Sequence, residues 1–287
     1  SRGSGRNSDA VVWANRGGGK TELAAIATVL DCVFKKGCQV RILGGSLEQS
    51  SRMYEYVRRF VENSYSDMVD GNILKERCGF INGSCVEMLP QSSRSVRGIH
   101  IHKLRCDEIE LFDREVFQAC QFITHSTENI SGAMEVISTM HKPYGLMQKI
   151  VEKAQANNTP VFRWNVWEVI ERCIGRECSR CVLNSDCRGR AKKANGYFKI
   201  DDCIMQMQRS SRSGFECEML CERPSLDNVV FAEFDAGVHV RQVGYDTSLP
   251  LYRAVDFGFV NPFVCLWILV DDDGKVRVID EYYKSRV

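Results

Sequence analysis

The run Ala14-Asn15-Arg16-Gly17-Gly18-Gly19-Lys20-Thr21 has the residue types needed to hold phosphate. Phosphate-binding loops read G-x-x-x-x-G-K-S/T between a strand and a helix; Ala14 replaces the first glycine, while Gly19, Lys20 and Thr21 fit. Without side chains in the way, the backbone N–H groups of Gly17, Gly18, Gly19 and Lys20 are expected to turn toward phosphate oxygens, aided by the next helix N-terminus. Lys20 would reach the β- and γ-phosphates of ATP, and the Thr21 hydroxyl would hold Mg2+. The structural alternative is a Gly-rich turn that starts an ordinary helix. Such a site also needs acids. Asp107-Glu108 follows the run Ile99 to Cys106, which Lys103 and Arg105 make less apolar than usual. Asp107 would bind the magnesium through water and Glu108 would orient or deprotonate the attacking water; a helix-capping pair is the alternative.

A second constellation is Cys173, Cys178, Cys181 and Cys187, spaced C-x4-C-x2-C-x5-C. Four thiolates so close can wrap one metal centre, either a 4Fe–4S cluster or Zn2+. The spacing is similar to the iron–sulfur loop of endonuclease III-type DNA glycosylases, apart from the first gap. Two free thiol pairs are the alternative. Arg188, Arg190, Lys192 and Lys193 come next in the chain and suit DNA phosphates or a solvated face.

Elements must position these groups. Alternating apolar runs and helical patterns in the first half predict an α/β domain with a mainly parallel sheet and helices on both faces. The expected strands are Ala10 to Trp13, Val40 to Leu43, Cys85 to Leu89, Ile101 to Cys106 and Glu135 to Ser138, with a helix over Thr21 to Lys35 and, after a turn at Gly44-Gly45-Ser46, a second helix through about Asn63. The alternation stops near Asn157, where a Cys-rich connector begins. Leu251 to Phe257, Phe263 to Val270 and Val276 to Tyr283 predict three antiparallel strands, with a tight turn at Asp271-Asp272-Asp273-Gly274. The division reads 1–156, 157–225 and 226–287.

Composition narrows the partners. With 38 basic and 37 acidic side chains among 287 residues, no global field draws in nucleic acid, so any DNA contact comes from local patches. Fourteen cysteines without a signal peptide, four at metal-ligand spacing, favour a reducing compartment. The longest apolar run, Phe263 to Val270, is too short to span a bilayer. Ser1 and the terminal Lys284-Ser285-Arg286-Val287 read as cut ends of a longer protein.

Taken together, these motifs resemble the large terminase subunit of tailed bacteriophages. The resemblance covers nearly the whole chain: a deviant phosphate loop with Arg16 at its third position, Val40 to Ser46 followed by Gln49, Arg97-Gly98 before the acidic strand, and Ser138-Thr139 closing a strand. It implies a P-loop ATPase followed by the Cys-rich connector and the first strands of a ribonuclease H-like nuclease. It implies that Arg16 or Arg97 stabilises charge on the transferring phosphoryl group, and that Ser138-Thr139 couples hydrolysis to domain movement. Arg253 to Gly258 is similar to the first nuclease strand, with Asp256 as its first metal-binding acid. Glu281 could face it, and the remaining acids would lie on later strands. The implied protein packages double-stranded viral DNA into proheads as a homo-oligomeric ring with portal protein and small terminase subunit. It would work in the host cytoplasm, outside the mature virion and away from membranes. A helicase-like P-loop ATPase and a non-catalytic prophage remnant are the alternative functions.

Overall fold

The computed structural model describes residues 8–92, 96, 98–224, 239–257 and 263–284. Arg97 and Gly258, named above, lie outside the described residues. Two compact units are present, residues 1–227 and 228–287.

The first unit is organised by a seven-stranded sheet. Its strands are β1 (Ala10–Ala14), β2 (Gln39–Gly44), β3 (Arg77–Gly79), β4 (Cys85–Leu89), β5 (Lys103–Asp107), β6 (Ala133–Ser138) and β7 (Val161–Trp164), in the order β3-β4-β2-β5-β6-β1-β7. All pairs are parallel except β3 with β4. Alternate residues face opposite sides, as a pleated strand dictates. Val40 and Ile42 pack with Ala24, Val29, Met53 and Val57, beneath helices α1 (Lys20–Phe34) and α2 (Leu47–Ser64). Leu43, Trp13, Leu104 and Val136 pack on the other side with Phe117, Met147 and Val151, from helices Arg114–Cys120 and Leu146–Ala156. Helices therefore cover both faces, as the sequence predicted.

Local chemistry fixes where these helices start. Gly19 enters α1 in the left-handed region, φ 78°, a backbone that glycine adopts without steric cost. The Ser46 hydroxyl accepts the Gln49 N–H at the start of α2, and Asp113 accepts two N–H groups at the start of the helix Arg114–Cys120. The two basic residues that interrupt the acidic strand have a structural role. Arg105 is fully buried on β5, paired with Asp31 of α1 and with Glu135, its neighbour in register on β6. Lys103 is buried two residues before it.

Strand β7 falls in the segment that the sequence assigned to the connector, yet it pairs with β1. It is a short edge strand, half exposed and interrupted by Arg163, so it lacks the apolar run that marks an inner strand. Beyond it, residues 165–221 gather around a small core containing Val166, Trp167, Ile170, Leu183, Phe215 and Met219.

The second unit is a three-stranded antiparallel meander, β8 (Leu251–Asp256), β9 (Phe263–Val270) and β10 (Val276–Lys284), with β9 central. The turn before β10 forms where expected: Gly274 N–H donates to the Asp271 carbonyl, 2.9 Å, with Gly274 at φ 75°. No helix among the described residues is long and apolar enough to cross a membrane.

Candidate nucleotide site

β1 lies between β6 and β7, and the chain leaving it must cross β6 and β5 to reach β2. That reversal of direction opens a crevice at the carboxyl ends of parallel strands, where α/β proteins bind ligands. The loop from Ala14 to Lys20 lies there, as do the ends of β5 and β6.

The structure brings the predicted loop and acids together. The Thr21 hydroxyl donates to Asp107 Oδ2, 3.0 Å, and Lys20 Nζ lies 3.2 Å from Glu108 Oε1. Lys20 is 7% exposed and Asp107 3%. Burial and the Glu108 charge raise the Asp107 carboxyl from 3.8 to about 6, against the pull of Lys20 and the Thr21 hydrogen bond. Glu108 has φ 55° and ψ 54°, a left-handed backbone that costs a non-glycine residue roughly 1–2 kcal/mol. It is held there by its N–H, which donates to the Ile137 carbonyl of β6, 2.9 Å. Strain at a carboxylate facing a buried lysine is the kind that marks functional sites.

The loop itself departs from the expectation in one respect. Gly18 N–H is engaged by the Asn15 carbonyl, 3.0 Å, closing a tight turn, so it does not point freely inward. The buried Asn15 Oδ1 and Ser138 Oγ have no hydrogen-bond partner among the described residues. Such polar atoms are costly inside a protein unless something meets them, and both flank the crevice.

Arg16 turns outward. Its side chain is 72% exposed, Nε lies 3.2 Å from Glu218 Oε2, and its N–H donates to the Glu218 carbonyl, 2.8 Å. Ser138 and Thr139 are buried at the end of β6, with Ser138 beside Trp13 in register. Thr139 Oγ1 lies 3.2 Å from His141 Nδ1, which lies 3.8 Å from Glu218 Oε1. Thr139, His141 and Glu218 thus lie one after another between the end of β6 and Arg16.

Several site residues escape sequence reasoning. Tyr197 donates its hydroxyl to the Gly17 carbonyl, 2.9 Å, and Trp164 Nε1–H donates to the Gly18 carbonyl, 2.8 Å. A Cβ on Gly17 would meet the Phe198 ring at 2.8 Å, and one on Gly19 the Tyr197 hydroxyl at 2.8 Å. The absence of side chains at these glycines thus makes room for the aromatic cover. Trp164, Tyr197, Phe198 and Glu218 lie more than a hundred residues from the loop in sequence, and no local spacing marks them.

Thr21 and Asp107 present two oxygens of the hard type that Mg2+ prefers, so these residues fit that ion. At the second constellation, Cys173, Cys178, Cys181 and Cys187 line one cavity of about 20 Å³. The thiols are free and partly buried. Among the described residues no three metal-ligating side chains are drawn close enough to hold an ion. The donor set, four soft thiols lining one small cavity, suits either metal centre expected there. Asp256 ends β8, exposed, beside Val264 of β9. Glu281 pairs with Leu266 across β9. The two acids share a face, and among the described residues no group of three metal-ligating side chains includes them.

No protein-family model and no curated protein sequence matches the chain. Solved structures do. The large terminase of bacteriophage HK97 superposes with a TM-score of 0.63 at 16% identity, over 96% of this chain and 59% of that one. The large terminase from a thermophilic bacteriophage, in complex with ADP, gives a TM-score of 0.56 at 13% identity, over 97% and 63%. The same protein in complex with ATP-gamma-S gives 0.52 at 13%, over 96% and 62%. The chain thus spans about three-fifths of the length of these structures. At these identities the likeness speaks for the fold, and in fold the chain is a large-terminase-like protein.

Proposed function

We propose that this chain binds ATP with Mg2+ and hydrolyses it as the motor of a viral DNA-packaging machine. The observation that carries the reading is the crossed pairing of Lys20 with Glu108 and Thr21 with Asp107 at the end of β5, beside the phosphate loop. In this reading Lys20 exchanges Glu108 for the β- and γ-phosphates, which frees the Glu108 carboxylate to orient water and accept its proton. Thr21 and Asp107 hold Mg2+, which neutralises charge on the phosphate oxygens when bound. Arg16 leaves Glu218 to stabilise charge on the phosphoryl group. Ser138 and Thr139 transmit the change through His141 and Glu218.

The thermophilic-phage terminase structures with ADP and ATP-gamma-S and the terminase-like fold support a nucleotide-driven role. By the same likeness we place the substrate as double-stranded DNA, and the setting as a ring assembled with a portal protein and a small terminase subunit in the host cytoplasm. We assign the Cys-rich stretch beyond β7 as a metal-stapled connector and 226–287 as part of a ribonuclease H-like endonuclease with Asp256 as one acid. Among the described residues no group of three metal-ligating side chains includes Asp256, so these residues alone should not cleave DNA.

Steady-state hydrolysis of ATP with Mg2+ by the full chain, with and without double-stranded DNA, tests the motor. The rate should rise with DNA and fall by roughly a hundredfold or more in Lys20→Ala, the loss of an electrostatic contact to the transition state. Equal rates for parent and variant would overturn the reading.

A further inference from the structure

The loop from Cys173 to Ala191 contains all four clustered cysteines and is poorly equipped to hold itself. Leu183 and Ala191 are its buried apolar residues, whereas Ile174 and Val182 are exposed. Its helical pieces, Cys178–Arg180 and Asn184–Cys187, are too short to be stable alone. Ion pairs tie it down from outside: Arg212 grips Asp186 through two bonds of 2.7 Å, and Arg176 meets Asp201 at 2.7 Å. A segment with so little core needs a staple.

The segment just after this loop covers the phosphate-binding turn. The loop is closed by Cys173 N–H donating to the Ala191 carbonyl, 2.9 Å. The same two chain segments then pair again: Gly196 N–H with the Ile170 carbonyl, 2.8 Å, Phe198 N–H with that of Val169, 2.9 Å, and Glu171 N–H with that of Phe198, 2.8 Å. This short ladder carries Tyr197 and Phe198 onto Gly17 and Gly19. Opening the base of the loop would unfasten the ladder, and with it the aromatic cover.

We propose that Cys173, Cys178, Cys181 and Cys187 bind one structural Zn2+, and that this ion fastens Tyr197 and Phe198 over the phosphate loop, making nucleotide affinity depend on zinc. The consequence for nucleotide rests on the ATP-site reading above. The donor set is four soft thiols that line one small cavity, the ligand set of many structural zinc sites. Each thiol gives its proton to solvent, so four thiolates on Zn2+ leave a net charge of −2. Arg176 and Lys192 line the same cavity and offset that charge. The Ala191 N–H donates to Cys187 Sγ, 3.5 Å, the kind of backbone bond that orients a thiolate ligand. Closing of the four thiols on the ion shortens the loop that the ladder must span.

The full chain, purified from zinc-containing medium, should hold one zinc and no iron per molecule, with no absorbance near about 400 nm of the kind iron–sulfur centres show. Stripping zinc with a chelator should weaken binding of a fluorescent ATP analogue with Mg2+ by about tenfold, the combined loss of a hydrogen bond and a packed ring, and restored zinc should reverse it. Cys178→Ser should show the same loss without reversal. Should that variant fail to fold, Tyr197→Phe should keep its zinc and lose about three- to tenfold in affinity. Affinity unchanged on zinc removal, or by Tyr197→Phe, overturns the fastening. Iron in place of zinc, or neither metal, overturns the site. A zinc-loaded chain that binds no nucleotide overturns the ATP-site reading instead, and the zinc count then stands by itself.

Discussion

Asp107 and Asp256 each end a strand, yet the two regions treat them differently. Asp107 is 3% exposed, bonded to Thr21, beside Glu108 and within reach of Lys20. Asp256 ends a strand whose residues are all exposed, on a sheet of three strands. The first carboxylate is shaped by its surroundings before any ligand arrives; the second stands on an exposed strand. Enclosure by neighbouring elements is what tunes an acid.

The comparison breaks first at Arg105, which holds the enclosing elements together. Arg105→Ala leaves Asp31 and Glu135 without their shared buried partner and should cost about 3–5 kcal/mol, read as a large drop in denaturation midpoint. A loss under about 1 kcal/mol would show that the strand tolerates the missing charge. Next is the pH response of Asp107. Its raised folded-state value means that the folded protein binds this proton more tightly than the unfolded chain. That contribution to stability is complete below 3.8 and disappears as pH rises through about 6. Relative to Asp107→Asn, the unliganded parent should therefore lose stability across that window. Binding of Mg2+ and nucleotide, which requires the carboxylate, should weaken about tenfold per pH unit below about 6. Calorimetric titrations at several pH values would show it, and a flat profile would mean that Asp107 does not contact the ion. The smallest effect belongs to Asp256: Asp256→Ala should change stability by less than about 0.5 kcal/mol, as at other surface positions. A larger change would reveal an enclosure around it.

These contrasts explain what could be read in advance. The phosphate loop, Asp107-Glu108 and the parallel strands were legible because each depends on local order: glycines before a helix, acids after a strand, short apolar runs between helical patterns. The three-strand meander was legible from its runs and the Asp271 to Gly274 turn. Arg105 looked like a flaw in its strand because its partners, Asp31 and Glu135, come from other elements. β7 was hidden by edge exposure and Arg163. The cover of Trp164, Tyr197, Phe198 and Glu218 was illegible for the same reason: only tertiary packing brings them to the loop. The left-handed backbone of Glu108 carries no sequence signal, since glutamate is not a residue that favours it.

The central claim is a division of labour between the residues that bind nucleotide and the one that activates water. Paired measurements on Glu108→Gln test it most directly: affinity for ATP with Mg2+, and the single-turnover rate of hydrolysis. The substitution removes the tie on Lys20, so affinity should equal or exceed that of the parent, while hydrolysis falls about 10²- to 10⁴-fold, the usual contribution of a general base. Hydrolysis at the parent rate, or affinity and rate lost together, would contradict the account.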